Sequence, residues 1–365
     1  MEDIRTPLEE ILASGRITNF GKYVRQFESE TAAYLGTETV AVSSGTIGLL
    51  FVISSVGFPP GAKVILPSFT FMATAQAVLF AGGQPLFAEV DDDLNLCPQD
   101  LERLLDRHPE TAAVVAVHMY GLPARAAEIE SVVAAASKRR GRPIPLFFDA
   151  AHAFGSSVDG RRVGGFGDAE VFSLSVTKVL VSVEGGLVST RRPELAERIR
   201  AMRNYGIQAP YDAHVPGLNG KMSEFHAIIG LHNLRRLDQL LAIRQEKAHH
   251  YADEVHRRTS FRMSTWPPGV VHTVKDFTVL VPGSKALCRD EIIRFLAERG
   301  IESRPYFCPP VHQQKCFRKY ADRPLPKTEE LSRRVVTLPF FTSITNQEID
   351  YVVEALIEAE SRFTA

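Results

Sequence analysis

Short apolar runs alternate with longer segments of helical periodicity over the first half of the chain. The runs comprise residues 39–42, 63–66, 85–88, 113–117, 144–148 and 171–174. Strands that are apolar throughout are typical of parallel sheets covered on both faces, and their alternation with helices predicts an α/β fold of three layers. A later run, Gly186–Thr190, is expected to pair antiparallel, which makes the predicted sheet mixed but mostly parallel.

The pattern changes in the second half of the chain. Residues 222–257 are helical and charged, and they predict one long connecting helix. Beyond it come a strand-like run at 273–281, a helix near 289–299 and a final helix from 346 to about 360. We therefore expect a large domain over residues 1–240 and a smaller C-terminal α+β domain over residues 241–365.

Composition argues against several classes of function. The 365 residues are 45% hydrophobic, which is enough for a large core. Forty-two basic and forty-three acidic side chains leave no excess charge to hold nucleic acid or an anionic membrane non-specifically. The amino terminus carries acids without a long apolar stretch behind it, and no run reaches the roughly 20 apolar residues of a membrane span. We expect a cytoplasmic protein.

The cysteines fit a reducing compartment. Cys97, Cys288, Cys308 and Cys316 are widely scattered and form no Cys-x-x-Cys pair, so free thiols are expected. Cys308 and Cys316 flank His312 at regular spacing, but two prolines intervene and no fourth ligand is near. We therefore predict no metal site.

Lys178 is the first candidate for chemistry. It follows the apolar run 171–174 and precedes Glu184, with Asp149 and His152 about thirty positions upstream. A lysine held in an apolar setting loses its proton readily enough to form a Schiff base, and a carboxylate can keep a pyridine nitrogen protonated so that the ring accepts electrons. The combination suggests pyridoxal phosphate chemistry. Taken alone, a lysine at a strand end more often extends its side chain to solvent.

Other candidates follow neighbouring strands, at the edge where open α/β sheets bind ligands. The segment 43–46 opens a helix with Gly45 and Thr46, which indicates an anion site, although an ordinary N-cap is the alternative. Phe71 could stack on an aromatic ring or pack in the core. Ser173 offers a hydroxyl for a phosphate, or it is a satisfied turn residue.

These motifs, in this order, resemble the DegT/DnrJ/EryC1/StrS family of sugar aminotransferases, which are fold-type-I pyridoxal phosphate enzymes. The resemblance runs nearly end to end. It rests on residues 18–28, 44–46, 67–74, 117–121, 148–155, 172–186, 217–224 and 338–339. Each piece is a weak signal, whereas their joint order and spacing are specific.

The resemblance implies a role for each matching residue. Lys178 matches the Schiff-base lysine, Asp149 the partner of the pyridine nitrogen, and His152 the residue that contacts the ring hydroxyl. The phosphate cradle is matched by Gly45, Thr46 and Ser173, and the aromatic residue against the ring by Phe71. Asn219 falls in the motif that reaches the phosphate of a neighbouring subunit, which implies a homodimer with shared active sites.

Two positions depart from the family pattern. Ser175 stands where many relatives have histidine or tyrosine, so it is not assigned a catalytic role. Lys221 replaces the usual arginine of the Gly-x-Asn-x-Arg motif, which keeps the charge but loses the guanidinium fork. Lys221, Arg304 and Tyr306 are candidate substrate contacts, and His312 could also border the pocket or belong to a polar surface loop.

The implied activity is transfer of an amino group from L-glutamate to a nucleotide-linked keto sugar, with pyridoxamine phosphate as the intermediate form of the cofactor. Segments 149–155, 158–161, 167–172 and 304–307 most resemble enzymes that aminate C4 of dTDP-4-keto-6-deoxyhexoses. Amination at C3 or of an aminocyclitol precursor stays open, as does a cofactor-bound regulator. A sugar dehydratase of the same fold is disfavoured by Lys178, because those relatives carry histidine there. The sugar, its nucleotide and the stereochemistry are left undetermined.

Overall fold

The computed structural model describes residues 4–264, 266–283 and 288–363. Its α-helices are α1 (Arg5–Ser14), α2 (Lys22–Leu35), α3 (Gly45–Ser54), α4 (Met72–Phe80), α5 (Pro98–Arg107), α6 (Ala126–Arg140), α7 (Pro193–Met202), α8 (Glu224–Leu234), α9 (Leu237–Arg258), α10 (Arg289–Glu298), α11 (Pro326–Arg334) and α12 (Asn346–Phe363). Its strands are β1 (Glu38–Val42), β2 (Lys63–Pro67), β3 (Gln84–Ala88), β4 (Ala113–Val117), β5 (Leu146–Asp149), β6 (Ser157–Val158), β7 (Arg161–Arg162), β8 (Ala169–Ser173), β9 (Gly186–Thr190), β10 (Ile207–Ala209), β11 (Asp212–Ala213), β12 (Val270–Val271), β13 (Phe277–Leu280) and β14 (Val335–Leu338).

A seven-stranded sheet in the order β1-β9-β8-β5-β4-β2-β3 forms the centre of the molecule. Strand β9 runs antiparallel to both of its neighbours, β1 and β8, while the other neighbouring pairs are parallel. The predicted mixed, mostly parallel sheet of an α/β fold is therefore confirmed.

Strand β4 shows why this sheet needs a layer of helices on each face. All of its residues are buried. Val114 and Ala116 pack into one apolar cluster, and Ala113 and Val115 pack into a second one on the opposite face. Successive side chains of a strand point to opposite faces, so a strand that is apolar throughout must be covered twice. Helices cover both faces of the sheet, which confirms the predicted three-layer arrangement.

The carboxyl ends of β1, β2, β5 and β8 meet at one edge of the sheet, because these strands run in the same direction. Each is followed by a segment that the sequence analysis singled out: Ser43 after β1, Ser68 after β2, and Ala150 after β5. Strand β8 ends at Ser173. Ligands of open α/β sheets bind at this kind of edge.

The C-terminal part has its own apolar cluster around the β13–β14 pair, in which Phe277 lies opposite Leu338. Tyr251 of α9 stacks on Phe277 at 4.0 Å between ring centroids. Leu241, at the start of the same helix, still packs with the first cluster of the large sheet. The division into domains at residue 240 stays a prediction.

The prediction of one long helix over residues 222–257 is wrong, because the chain turns between α8 and α9. Helix α8 is fixed on α2: the Glu224 carboxylate accepts hydrogen bonds from the N–H groups of Tyr23 and Val24, at 2.8 and 3.4 Å. Helix α9 packs through Tyr251 on β13. One straight helix cannot meet both surfaces, and Arg236 has a backbone (φ −105°, ψ −2°) displaced from helical geometry.

The helices were also compared with the length and hydropathy that a bilayer requires. Within the described residues, none is long and apolar enough to cross a membrane.

Candidate active site

Lys178 lies in the loop between β8 and β9, at the edge of the sheet described above. The loop is closed by hydrogen bonds from Leu174 N–H to Gly185 O (2.9 Å) and from Ser182 N–H to Leu174 O (2.8 Å). Inside it, the N–H of Lys178 donates to Ser175 O at 2.9 Å. The lysine therefore lies on a loop that is closed by its own backbone hydrogen bonds and connects two adjacent strands, which limits how far its backbone can move.

The surroundings of Lys178 favour its uncharged amine. Burial lowers its pKa to about 8, and the positive charge of Lys275 acts in the same direction. The carboxylates of Asp149, Asp276 and Glu184 oppose this change. The side-chain amine makes no hydrogen bond or ion pair with any residue that the structure describes. An uncharged, unengaged amine is what nucleophilic attack on an aldehyde requires.

Asp149 is the last residue of β5 and is 6% exposed. The Thr74 hydroxyl donates to its Oδ2 at 2.7 Å, and the N–H of Ala151 donates to its Oδ1 at 3.1 Å. Burial raises the pKa of Asp149, while these two hydrogen bonds and the charge of Lys178 lower it. Both donors are neutral, so the carboxylate is oriented, and no cation bonds it within the part of the chain that the structure describes. It fits a protonated ring nitrogen, whose charge would offset the cost of burying it.

His152 lies close to Lys178 and is nearly buried. Burial lowers the pKa of His152 well below its ordinary value, and the charges of Lys178 and Lys275 add to the effect. Its ring is therefore neutral at physiological pH and can hydrogen-bond to a ring hydroxyl. Its backbone carbonyl accepts a hydrogen bond from the Thr273 hydroxyl at 2.7 Å, which holds the backbone of His152 in place.

Gly45, Thr46 and Ser173 meet where α3 begins. The residue before them, Ser44, is the N-cap of α3, and its hydroxyl accepts from the N–H of Ile47 at 3.2 Å. A Cβ added to Gly45 would lie 2.9 Å from the Ser173 Cβ, so the helix start and the end of β8 are in close contact. Ser44 is thus an ordinary N-cap, and it leaves Gly45, Thr46 and Ser173 without a capping role. The anion site at these three residues stays a prediction.

Phe71 is 52% exposed at the start of α4, whereas its neighbour Phe69 is fully buried. Phe69 therefore does the core packing, and the ring of Phe71 faces open space beside Phe307, at 6.0 Å between centroids. Tyr306 stacks on Phe307 at 5.4 Å and is 41% exposed. The structure thus brings Tyr306 to the neighbourhood of Phe71. Arg304 is exposed, and its guanidinium pairs with Glu302.

Asn219 is exposed and lies beside the start of α3 in its own chain, since the carbonyl of Gly220 accepts the N–H of Ser43 at 2.8 Å. The Lys221 amine lies 3.4 Å from Oδ1 of Asn204 and 4.9 Å from the centroid of the Tyr205 ring. The segment is therefore adjacent to the proposed phosphate cradle.

His312 is buried and does not belong to a polar surface loop. Its Nδ1 lies 2.6 Å from the Ser68 hydroxyl and its Nε2 lies 3.4 Å from Glu329. It anchors the segment that carries Tyr306 to the end of β2. Among the described residues, no group of three or more His, Cys, Asp or Glu side chains is placed to hold a metal ion.

Sequence reasoning missed three residues of the site. Thr74 orients Asp149, and the requirement of a buried carboxylate for a donor was a usable signal. Lys275 and Asp276 reach Lys178 and His152 from the C-terminal part of the chain, and they form an ion pair at 2.5 Å. Nothing in their spacing pointed to the site, because more than ninety positions separate them from Lys178.

Comparison with known proteins agrees with this geometry. The model of the DegT/DnrJ/EryC1/StrS aminotransferase family matches residues 1–357. A UDP-N-acetyl-3-dehydro-alpha-D-glucosamine 3-aminotransferase of Acidithiobacillus ferrooxidans is 33% identical over 351 residues, which cover 95% of this chain and 91% of that protein. A dTDP-4-amino-4,6-dideoxy-D-glucose transaminase of Shigella dysenteriae is 28% identical, covering 98% and 96% of the two chains.

Among solved structures, DesI in the presence of its TDP-sugar product superposes with a TM-score of 0.88 and 33% identity, covering 99% of this chain and 92% of that one. The arrangement of Lys178, Asp149 and His152 at the edge of the sheet suits pyridoxal phosphate, the cofactor of this family. The chain therefore belongs to the DegT/DnrJ/EryC1/StrS aminotransferase family and is a pyridoxal phosphate-dependent sugar aminotransferase with the fold-type-I architecture.

Proposed function

We propose that the protein transfers the amino group of L-glutamate to C4 of a dTDP-4-keto-6-deoxyhexose, as a step of deoxyaminosugar biosynthesis. The observation that carries the proposal is the meeting of Lys178, a lysine whose pKa is lowered to about 8, with the buried carboxylate of Asp149, which no cation bonds among the described residues. The choice of sugar draws on the resemblance of the sequence motifs and on the relative from Shigella dysenteriae.

When bound, pyridoxal phosphate supplies an aldehyde that receives the amino group and a ring that delocalises the charge left by deprotonation. Asp149 would keep the ring nitrogen protonated, and Thr74 and the N–H of Ala151 hold its carboxylate in place. His152 donates to or accepts from the ring hydroxyl. The phosphate is held by Gly45, Thr46 and Ser173 at the positive end of α3.

Lys178 moves the proton that the reaction requires. With pyridoxal phosphate bound, the free amine of Lys178 would take the proton from the α-carbon of glutamate and deliver it to the aldehyde carbon of the cofactor, to which the amino group is transferred. A pKa of about 8 suits this exchange, because a base works best when its pKa is close to the operating pH. Phe71 would lie against the face of the ring and exclude water from it.

The substrate-side residues are proposed from their position. Tyr306 lies beside Phe307, which adjoins Phe71, so it can border the sugar. Lys221 and Arg304 carry positive charges suited to a nucleotide diphosphate. Arg304 would have to leave its exposed partner Glu302, a change of low cost for a surface ion pair.

Amination at C3 is the second candidate, favoured by one observation. The relative from Acidithiobacillus ferrooxidans is a 3-aminotransferase that acts on a UDP-linked sugar. The two acceptors differ in the carbon presented to the cofactor and in the nucleotide, so both should be offered to the enzyme in the same assay.

We further propose that the protein works as a homodimer in which Asn219 completes the partner's site. Asn219 is exposed, and an apolar groove of about 340 Å³ lies beside it, with Phe51, Phe58 and Leu218 in its lining. Phe80 also lines the groove and is 75% exposed. A second copy of the chain would cover these side chains and carry Asn219 to the neighbouring cradle.

A two-stage experiment tests the proposed function. Glutamate should bleach the visible absorption of the cofactor-loaded enzyme, and a keto sugar should restore it. Isotope-labelled glutamate with a panel of UDP- and dTDP-linked 3-keto and 4-keto sugars then shows by NMR which carbon gains nitrogen. The proposal requires labelling at C4 of a dTDP sugar. No bleaching by glutamate would favour a different donor or a binding protein without turnover.

A further inference from the structure

A second lysine lies beside Lys178 and is contributed by the C-terminal part of the chain. The side chain of Lys275 is 14% exposed, and among the charged groups near Lys178 it has the largest effect on that amine. Its charge also acts on His152. None of the roles assigned above to the cofactor site uses this cation. A nearly buried positive charge next to the reacting amine therefore needs an explanation.

The backbone that carries Lys275 is fixed against the large sheet. Its N–H donates to the carbonyl of Tyr120 at 2.8 Å. Two residues earlier, the hydroxyl of Thr273 donates to the carbonyl of His152 at 2.7 Å. The Arg244 guanidinium donates to the carbonyl of Thr273 at 3.2 Å. The position of residue 275 is thus determined by contacts with both parts of the molecule, and only its flexible side chain is free to change partners.

The partner of Lys275 is the next residue in the chain. Nζ of Lys275 lies 2.5 Å from Oδ1 of Asp276, whose side chain is 11% exposed. The other oxygen, Oδ2, lies 3.9 Å from Nδ1 of His152. The aspartate therefore neutralises Lys275 and lies close to the histidine at the same time. This counter-ion is always present, whichever substrate is bound.

The two substrates of an aminotransferase bring different charges to the same site. The amino donor brings carboxylates to the cofactor, and a carboxylate in a poorly solvated site needs a cation. The reacting hexose of a keto sugar carries no carboxylate, so the same cation must then be neutralised by the protein. Lys275 with Asp276 meets both demands. Of the other candidate cations, Arg304 is exposed, whereas Lys275 is nearly buried and acts electrostatically on Lys178.

We propose that Lys275 binds a carboxylate of the amino donor and that Asp276 replaces this carboxylate as the partner of Lys275 when the keto sugar occupies the site. The proposal rests on the proposed function, because it assigns the donor subsite of the same cavity. It makes the pair a device that lets one pocket accept a dicarboxylate and an uncharged hexose in turn.

Binding of glutarate, a dicarboxylate without an amino group, tests the subsite apart from turnover. Calorimetry on the cofactor-loaded protein should show glutarate binding about 10- to 100-fold more weakly to Lys275→Met than to wild type, the loss expected for one charge-assisted contact. Asp276→Asn should bind glutarate more tightly than wild type, because Lys275 then lacks its competing partner. A purely structural role for the pair would weaken binding in both variants.

Controls separate charge from folding. Lys275→Met with Asp276→Asn removes both charges and leaves no unpaired buried ion, so this double variant should fold and still bind glutarate weakly. Lys247→Met removes a lysine of α9 that bonds Asn346, and it should bind like wild type. If Lys275→Met or the double variant binds glutarate within about 3-fold of wild type, the inference is wrong.

The half-reactions distinguish failure of this inference from failure of the proposed function. Lys275→Met should need a 10- to 100-fold higher glutamate concentration for half-maximal bleaching, whereas the keto-sugar concentration for half-maximal reaction of the aminated enzyme should stay within about 3-fold of wild type. Any change in maximal rate that arises through the pKa of Lys178 should affect both half-reactions alike. If wild type reacts with glutamate and the variant does so at the same concentration, only the Lys275 subsite is refuted. If wild type neither reacts with glutamate nor binds glutarate, both proposals fail.

Discussion

Asp149 gains its proposed role from what surrounds it. The carboxylate is buried, and the donors on its two oxygens, Thr74 and the N–H of Ala151, carry no charge. Such an environment holds the side chain in one orientation and leaves it able to stabilise a cation more strongly than it would in water. The apolar strand that ends in Asp149 was visible in the sequence, whereas Thr74 became apparent only when α4 and β5 were seen side by side.

Replacement of this carboxylate tests the role directly. Asp149→Asn keeps the shape and the hydrogen bond from Ala151 but removes the charge, so the ring nitrogen loses its proton more easily. We expect the glutamate half-reaction to slow by roughly 100-fold or more, in the range seen when a charge-stabilising group is removed from an active site. Stopped-flow absorbance measures the rate. Thr74→Val, which removes the uncharged donor to Asp149 but keeps the carboxylate, should slow it only about 5-fold; equal effects of the two variants would contradict the assignment.

The pH dependence of cofactor loading tests Lys178. Only the uncharged amine attacks an aldehyde, so the loading rate of the apoprotein should rise as pH increases through about 8 and level off above it. A lysine at its ordinary pKa near 10.4 would still be gaining rate there. Lys275→Met should move the midpoint to higher pH, since the cation that helps to lower the pKa of Lys178 is removed. A midpoint near 10 in wild type would contradict the described environment.

Side chains of the site differ in how far the sequence could predict them. Lys178, Asp149 and His152 come together because they follow strands that were recognisable by hydrophobicity, and parallel strands end at one edge. Lys275 and Asp276 could not be predicted, since their approach depends on how the C-terminal part packs on Tyr120 and His152. Local patterns contain no information about such a contact.

At the level of elements, the start of α3 is the most constrained junction. Gly45 lies against Ser173, and a Cβ at position 45 would come within 3.1 Å of the Ser173 Cα as well as 2.9 Å of its Cβ. The contact joins the phosphate-binding end of a helix to the strand that leads to Lys178. A change at this junction should therefore affect cofactor binding more than overall stability.

Gly45→Ala provides that change. The added methyl must push α3 from β8, and overpacking of this kind costs about 1–3 kcal/mol. We expect cofactor affinity to fall about 10-fold or more, measured by equilibrium titration of the apoprotein, with a smaller fall in denaturant stability. Gly165→Ala is the matched control, because a Cβ there meets no atom closer than 3.8 Å, and its affinity should equal that of wild type. Unchanged affinity in Gly45→Ala would remove Gly45 from the proposed cradle.

The elements themselves were largely predictable, and the failure at α8–α9 is informative. Apolar runs located β1 to β5, β8 and β9 to within a few residues, because buried strands of a parallel sheet have a distinct composition. The turn at Arg236 has no such signature. It arises because Glu224 fixes α8 to α2 while Tyr251 fixes α9 to β13, and each contact spans distant parts of the chain.

On the scale of the whole molecule, the site lies where the sheet edge meets the C-terminal part. The carbonyl of Tyr120 accepts a hydrogen bond from the N–H of Lys275, and the Tyr120 hydroxyl donates to the carbonyl of Tyr306. His312 joins the same C-terminal segment to Ser68. The site is therefore formed by residues from two parts of the chain, and a relative movement of these parts would change the distance between Lys275 and Lys178. A second copy, with Asn219, is proposed to supply the remaining wall.

Complementation between two inactive variants tests the shared site. In a heterodimer of Lys178→Ala with Asn219→Ala, a site that takes Asn219 from the partner has every group intact in the subunit that keeps Lys178. One of the two sites is then fully functional, and the purified heterodimer, selected by two affinity tags, should show about half of the wild-type turnover per dimer. Each homodimer alone should be impaired: Lys178→Ala in turnover, and Asn219→Ala by about 10-fold in cofactor affinity.

The alternative is that Asn219 serves its own chain, where Gly220 and Ser43 place it beside the start of α3. In that case no site of the heterodimer is complete, and its turnover should be no higher than that of the Asn219→Ala homodimer. Measured at limiting cofactor, the two outcomes differ enough to decide between a site shared by two subunits and one contained in a single chain.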